Sequence, residues 1–364
     1  MTRKFTIGFV RRGFSSGGGA EAYLKRLARG VAAAGHRISL YTAGEWPANE
    51  WNFGPVVRLG ATSAIAFADE VEEIFARREN NILMSLERIR RCDVYRAGDG
   101  VHRSWLERRA KTAGPLQKLS RLLNRKHSST LALEESLFGK GGAKRVIANS
   151  QMVKEEIIRF YDFPAEKIDV VYNGVPLQSL RCDEQDRAKS RDRFGLEKEE
   201  IVVLFAGSGW ERKGLRFAVE AVERQPGPLR LLVAGRGENR KFLSDRVQFL
   251  GVVPEMTSLY AAADIFLLPT LYDPFSNPCL EALAAGLPVI TTRANGFSEI
   301  IESGRHGTVI ESADDVEAIS NALQFWSGPA RRAQARIDNL TLAAQFDISR
   351  NVEETLQVLA HFAA

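Results

Sequence analysis

The sequence predicts two α/β domains in tandem, each a doubly wound parallel sheet flanked by helices, and three observations lead there. The chain has 364 residues, more than one core comfortably accommodates and suited to two domains of ordinary size. Short apolar runs alternate with helical patterns along its length, the signature of parallel sheets with crossover helices. That alternation begins a second time near Ile201, after the turn-forming Asn173-Gly174-Val175-Pro176, which has the chemistry of an interdomain hinge. The expected boundaries are therefore 1–172 and 173–349, with 350–364 a C-terminal helix able to dock on either domain.

The elements follow in order. Phe5–Val10 reads as a buried strand, a glycine-rich loop follows, and Ala20–Ala34 repeats apolar residues at helical spacing. Gly35 stops that helix and Ile38–Tyr41 reads as the next strand. Val146-Ile147-Ala148 and Val170-Val171-Tyr172 belong to the same expected sheet. The second half opens with Ile201–Ala206, then a loop and a helix from Gly214 to about Arg224. Leu229–Ala234, Val247–Leu250, Ile265–Pro269 and Val289–Thr291 continue it as strands, and Arg350–Phe362 is the last helix. No internal repeat or low-complexity tract interrupts this pattern.

Composition narrows the class. With 45% hydrophobic and 26% charged residues the chain is average for a soluble globular protein, which excludes disordered, collagen-like and disulfide-scaffold classes. No run of 18 uncharged apolar residues occurs, so no membrane-spanning helix is expected. Met1-Thr2-Arg3-Lys4 leads straight into the first strand, so no secretory signal is expected. Cys92, Cys182 and Cys279 are odd in number and far apart, which fits a reducing cytosol. The net charge of +5 conceals an asymmetry: residues 1–172 hold 29 Lys/Arg against 19 Asp/Glu, and residues 173–364 hold 21 against 26. Between Arg88 and Lys126, twelve basic residues face three acidic ones, a local +9. An anionic partner for the first half follows from that excess.

Three loops carry the chemistry. Ser15-Ser16-Gly17-Gly18-Gly19-Ala20-Glu21 follows the first strand, and its glycines let a backbone approach a ligand at a helix N-terminus. Its spacing is that of neither a dinucleotide fingerprint nor a P-loop, and a plain βα turn is the alternative. Gly207-Ser208-Gly209-Trp210-Glu211-Arg212-Lys213-Gly214 leaves the first strand of the second domain. Its Arg-Lys pair suits a diphosphate, the alternative being two solvated cations. In Pro269–Ile290 a strand ends, a turn-rich loop follows, and a helix opens near Asn277-Pro278, with Asn at the cap and Pro in the first turn. Asp273 lies in that loop and Glu281 one turn into the helix, so both carboxylates can face one ligand across the helix start. No Asp-x-Asp and no Cys/His cluster with ligand spacing occurs, so no metal and no cofactor are expected.

Arg212-Lys213-Gly214, followed by Asp273, seven intervening residues and Glu281, resembles the donor site of the retaining family 4 glycosyltransferases of GT-B fold. Within them it is most similar to the lipopolysaccharide core α-glucosyltransferases, which add glucose from UDP-glucose to an inner-core heptose. The likeness spans nearly the whole chain through Gly18-Gly19, Gly35-His36, Asp93–Asp99, Asn173-Gly174-Val175 and Ala285-Gly286-Leu287-Pro288-Val289. It implies two Rossmann-like domains facing a central cleft. Arg212 and Lys213 would then neutralise the departing diphosphate and Glu281 would hold the ribose. Asp273, with amides near Phe275, Ser276 and Asn277, would hold the hexose, and Gly18 and Gly19 would let the first loop close over the phosphates. Asp99 would face the acceptor and the reacting carbon, with His102 the competing candidate. The anomeric configuration would be retained. The family's commoner residue at the first acid is Glu; Asp273 is shorter by one methylene. His36, His127, His306 and His361 have no convergent partners in sequence and read as structural or solvated.

The basic segment is the remaining feature. Trp105, Arg108 and Arg109 precede Gly114-Pro115, after which Leu116, Leu119 and Leu123 share one helical face with Lys118, Arg121, Arg125 and Lys126 around it. Such a helix suits an anionic membrane surface, or else packs its leucines on its own domain. No nucleic-acid module is present, so no nucleic acid is expected. The resulting expectation is a metal-independent hexosyltransferase using a UDP-sugar, with a lipid-linked glycan acceptor. It would be cytoplasmic and peripheral on the inner face of the cytoplasmic membrane. A sugar-nucleotide epimerase on the same fold, or a non-catalytic sugar-nucleotide-binding scaffold at the membrane, are the alternatives.

Overall fold

Two parallel sheets organise the chain in a computed structural model, which describes residues 4–15, 19–112, 125–242 and 244–362. The first compact unit combines Met1–Asn173 with Ile348–Ala364, and the second is Gly174–Asp347.

In the first unit the strands are β1 (Thr6–Val10), β2 (Arg37–Thr42), β3 (Val56–Arg58), β4 (Ile82–Ser85), β5 (Cys92–Arg96), β6 (Ala143–Ala148) and β7 (Ile168–Val170). They lie in the order β3-β2-β1-β4-β5-β6-β7, all parallel, with Ile7 level with Ile38 on one side and Ile82 on the other. The strand order therefore reverses between β1 and β4, the point where doubly wound sheets bind ligands at their carboxyl ends. Helix Gly19–Ala33 starts one residue before the expected Ala20 and stops at Gly35, whose φ is +86°. The fourth expected strand of this sheet is displaced: β7 covers Ile168–Val170, Val171 N makes a last bond to the Ala148 carbonyl at 2.9 Å, and Tyr172 lies beyond the ladder. Strand β5 is buried throughout although it holds Asp93 and Arg96. Asp93 accepts from Leu83 N at 2.9 Å and from Arg78 and Lys144 at 3.0 and 2.7 Å, while the Arg96 guanidinium lies 3.9 Å over the Tyr23 ring. Asp93 is tolerable in the interior because two cations and an amide satisfy it, whereas Arg96 has the Tyr23 face and Asn173 Oδ1 while its buried Nε has no hydrogen-bond partner.

The second unit holds β8 (Ile201–Ala206), β9 (Leu229–Ala234), β10 (Val247–Gly251), β11 (Ile265–Leu268), β12 (Val289–Thr292) and β13 (Gly307–Ile310). Their order is β10-β9-β8-β11-β12-β13, again all parallel, with the reversal between β8 and β11. Continuous apolar runs such as Ile201-Val202-Val203-Leu204-Phe205-Ala206 belong to strands covered on both faces.

The C-terminal helix Ile348–Ala360 packs on Gly19–Ala33 of the first unit. Gly30 permits the approach, since a Cβ there would meet Val352 Cγ2 at 2.6 Å. Tyr23 OH donates to Asn351 Oδ1 at 2.9 Å, and Asn351 donates to the Tyr172 carbonyl at 2.6 Å. Among the described residues, no helix is long and apolar enough to cross a membrane.

Candidate functional site

In the second unit the loops leaving β8 and β11 are tied together by backbone. Lys213 ends the short helix Trp210–Lys213, and Gly214 follows at φ +76°. A Cβ at Gly214 would stand 1.9 Å from the Pro269 carbonyl oxygen, so only glycine lets the two loops meet. The Arg212 carbonyl then accepts from Leu271 N at 2.8 Å and Thr270 Oγ1 at 2.9 Å. Those bonds carry Arg212 and Lys213 to the loop that holds Asp273. Lys213 Nζ donates to Asp273 Oδ2, and the two residues are 8% and 5% exposed. The two groups assigned from the sequence to separate parts of a donor are thus partners of each other. Arg212 is half-buried, with Nη1 3.4 Å from the Tyr272 carbonyl.

The helix after β11 runs Asn277–Ala284, and its N-cap is Ser276 rather than the expected Asn277. Ser276 Oγ accepts from Cys279 N, which is the capping bond that Asn277 cannot make from inside the helix. Glu281 is half-buried and accepts from Tyr260 OH at 2.9 Å. Phe275 packs edge-on to Phe297 at 6.0 Å. Behind them lies Asn295, fully buried and unrecognised in the sequence reading. Its Oδ1 accepts from Ser276 N at 3.2 Å and Phe297 N at 3.1 Å, and its Nδ2 donates to Thr291 Oγ1 at 3.0 Å. Asn295-Gly296 is a turn signal that could have flagged it. Burial pushes the neighbouring Cys279 thiol up to about 12, so it stays protonated.

In the first unit a cavity of about 460 Å³ opens at the carboxyl ends of the sheet, lined by Arg11, Arg12, Phe14, Glu21, Glu87 and Asp99 among others. Arg11 reaches three carboxylates: Glu21 at 3.0 Å, Glu87 at 3.3 Å and Asp99 at 3.7 Å. Burial opposes its cation, but Glu87, Asp99 and Glu21 outweigh that and hold its pKa above the ordinary arginine value. Burial pushes the Glu87 carboxyl above its usual range, with Arg11 opposing and Asp99 adding. Asp99 is 47% exposed at its side chain, with Arg88 3.9 Å on its other side. Arg88 is in turn anchored on Glu134 at 2.9 Å. Of this network the sequence reading singled out Asp99 alone as a site residue.

His102 points elsewhere. Its Nε2 is 3.0 Å from His127 Nδ1, and its backbone N donates to Glu134 Oε1 at 2.6 Å. Burial, with Arg88 and His127 adding, pulls its pKa down to about 4, so it is neutral at pH 7. His127, expected to lack a convergent partner, is therefore corrected: the fold brings it to His102. Gly19 opens the first helix, while Gly18 lies outside the described residues.

Among the basic residues, Trp105 is half-buried and Arg109 lies 5.9 Å from its ring centroid. Arg108 differs from the free cation expected, because it pairs with the buried Glu156 at 3.1 Å. Lys126 is exposed. Lys118, Arg121, the Arg125 side chain and the Leu116/Leu119/Leu123 stripe lie outside the described residues.

Two known families match the chain: glycosyl transferases group 1 over residues 200–326 and glycosyltransferase family 4 over residues 95–179. An uncharacterized glycosyltransferase of Methanocaldococcus jannaschii is 31% identical over 178 residues, 45% of this chain and 46% of that protein. The lipopolysaccharide glucosyltransferase WaaG of Escherichia coli K12 is 25% identical over 342 residues, 87% of this chain and 89% of the relative. A crystal structure of WaaG, a glycosyltransferase involved in lipopolysaccharide biosynthesis, matches with a TM-score of 0.83 at 22% identity, over 96% of this chain and 98% of that one. Anabaena HepE, solved in complex with UDP and glucose, matches with a TM-score of 0.76 at 18% identity, over 98% and 99%. At those identities the structural likeness establishes the GT-B fold.

Proposed function

Since the chain belongs to the family 4 glycosyltransferases and has their GT-B fold, we propose that it transfers a hexose, in the first instance glucose, from a UDP-sugar to a lipid-linked glycan such as lipopolysaccharide core. The observation that carries the reading is the meeting of Arg212, Lys213 and Asp273 in the joined loops after β8 and β11, with Glu281 in the helix that the second loop opens. A leaving diphosphate needs its developing charge neutralised, which positioned cations and a helix N-terminus supply without a metal. Lys213 and Arg212 take that role, and Glu281, oriented by Tyr260, holds the ribose. Asp273 and the amides at Phe275–Asn277 hold the hexose. In the first unit Asp99, set between Arg11 and Arg88 at the cavity mouth, faces the acceptor hydroxyl. The acceptor attacks from the leaving-group side and configuration is retained. The WaaG and HepE relatives support the choice of UDP-glucose and of a lipopolysaccharide-type acceptor. Trp105, Arg109 and the surrounding basic residues support action at an anionic inner membrane face.

The test is UDP release from UDP-glucose with and without a lipid-linked core acceptor, repeated in EDTA. Acceptor-dependent release that survives EDTA is expected. Conversion of UDP-glucose to another UDP-hexose without release would instead indicate an epimerase, and binding without turnover a scaffold.

A further inference from the structure

We propose that the buried Lys213–Asp273 pair makes the second unit's site discriminate an intact nucleotide-diphospho-sugar from the free nucleoside diphosphate. The inference rests on the donor reading above. Both backbones are held. Lys213 precedes Gly214, which is pressed on the Pro269 carbonyl, and Asp273 donates from N to the Ala294 carbonyl at 2.9 Å while its own carbonyl accepts from Gly296 N at 3.0 Å. Any exchange of partners is therefore a side-chain event within a fixed frame.

A diphosphate drawing Lys213 onto its oxygens takes the ammonium away from Asp273. If the ligand ends at the β-phosphate, the buried carboxylate is left facing an anion with its cation withdrawn. If the ligand carries a hexose, sugar hydroxyls donate to Asp273, and both members of the broken pair regain partners. Leaving a buried polar group unpaired costs about ten- to hundredfold in affinity, so the pair weakens binding of the free diphosphate far more than binding of the sugar nucleotide. A site built this way releases its nucleotide product instead of being blocked by it.

The experiment is calorimetric titration with UDP and with UDP-glucose, without acceptor, comparing Kd(UDP) between proteins. Asp273→Asn keeps the size and removes the charge, so UDP itself should bind about tenfold more tightly than to the native protein, a gain that loss of a sugar contact cannot produce. That variant leaves Lys213 buried without its counter-ion, at a cost to folding. The double variant K213Q/D273N buries no charge at the pair, and it should bind UDP about tenfold more tightly than K213Q, which keeps the unpaired carboxylate. A Kd(UDP) that fails to tighten in either comparison between folded proteins would overturn the inference while leaving the donor site standing, because UDP still binds. Failure of the wild-type protein to bind either ligand would remove the donor reading itself, and this inference with it.

Discussion

Lys213→Ala is expected to lower turnover by roughly 10²–10³, the usual loss for one preorganised charge on a leaving group. The measurement is steady-state UDP release beside a thermal melt, and unchanged turnover in a folded variant would remove Lys213 from the diphosphate site. His102 makes a prediction about pH instead. Its folded pKa of about 4 lies below the ordinary 6.5, so between those values the unfolded chain binds the extra proton. The stabilising contribution is present above pH 6.5 and is lost as pH falls towards 4. Melting temperature should decline over that window in the native protein, and His102→Asn should flatten the decline. An equal decline in the variant would assign the acid sensitivity to other groups.

At the scale of elements, the site depends on how closely loops approach. Gly214 holds a left-handed backbone against the Pro269 carbonyl, so Gly214→Ala is strained by about 1–3 kcal/mol before the 1.9 Å contact is counted. The loops after β8 and β11 should separate, lowering the denaturation midpoint and weakening UDP binding together. A variant with native stability and native UDP affinity would show that the close approach is dispensable. Elements also explain which parts of the sheets were readable. Strands β8 and β9 are uninterrupted apolar runs, and their bounds match the reading residue for residue. Strand β5 escaped notice because Asp93 and Arg96 look like surface residues until Arg78, Lys144, Leu83 and Tyr23 are brought round them. Strand β3 escaped for the opposite reason: it is a three-residue edge strand exposed at every position.

For the whole molecule, the +9 excess over Arg88–Lys126 predicts reversible binding to anionic vesicles. Each basic residue close to such a surface contributes on the order of 1 kcal/mol, and salt screens it. Neutralising Arg121, Arg125 and Lys126 together should release the protein from anionic liposomes at physiological salt, while transfer to a soluble acceptor continues. Wild-type protein that ignores anionic vesicles would show the patch to be something other than a membrane contact. Arg108 is left out of that variant because its charge is committed to Glu156. What the sequence determined by itself was the pair of doubly wound sheets, the Arg212-Lys213-Gly214 and Asp273…Glu281 loops at their strand ends, and the sign of the first half's charge. Those follow from local periodicity, turn chemistry and spacing, which are properties of neighbouring residues. Only the tertiary structure decided that the last helix joins the first unit, that Lys213 is paired with Asp273, and that Arg11 gathers Glu21, Glu87 and Asp99 while His102 turns to His127. Each of these is a contact between residues from 10 to 328 positions apart, settled by which buried charge or polar group finds a partner, and no local pattern in the chain encodes that choice.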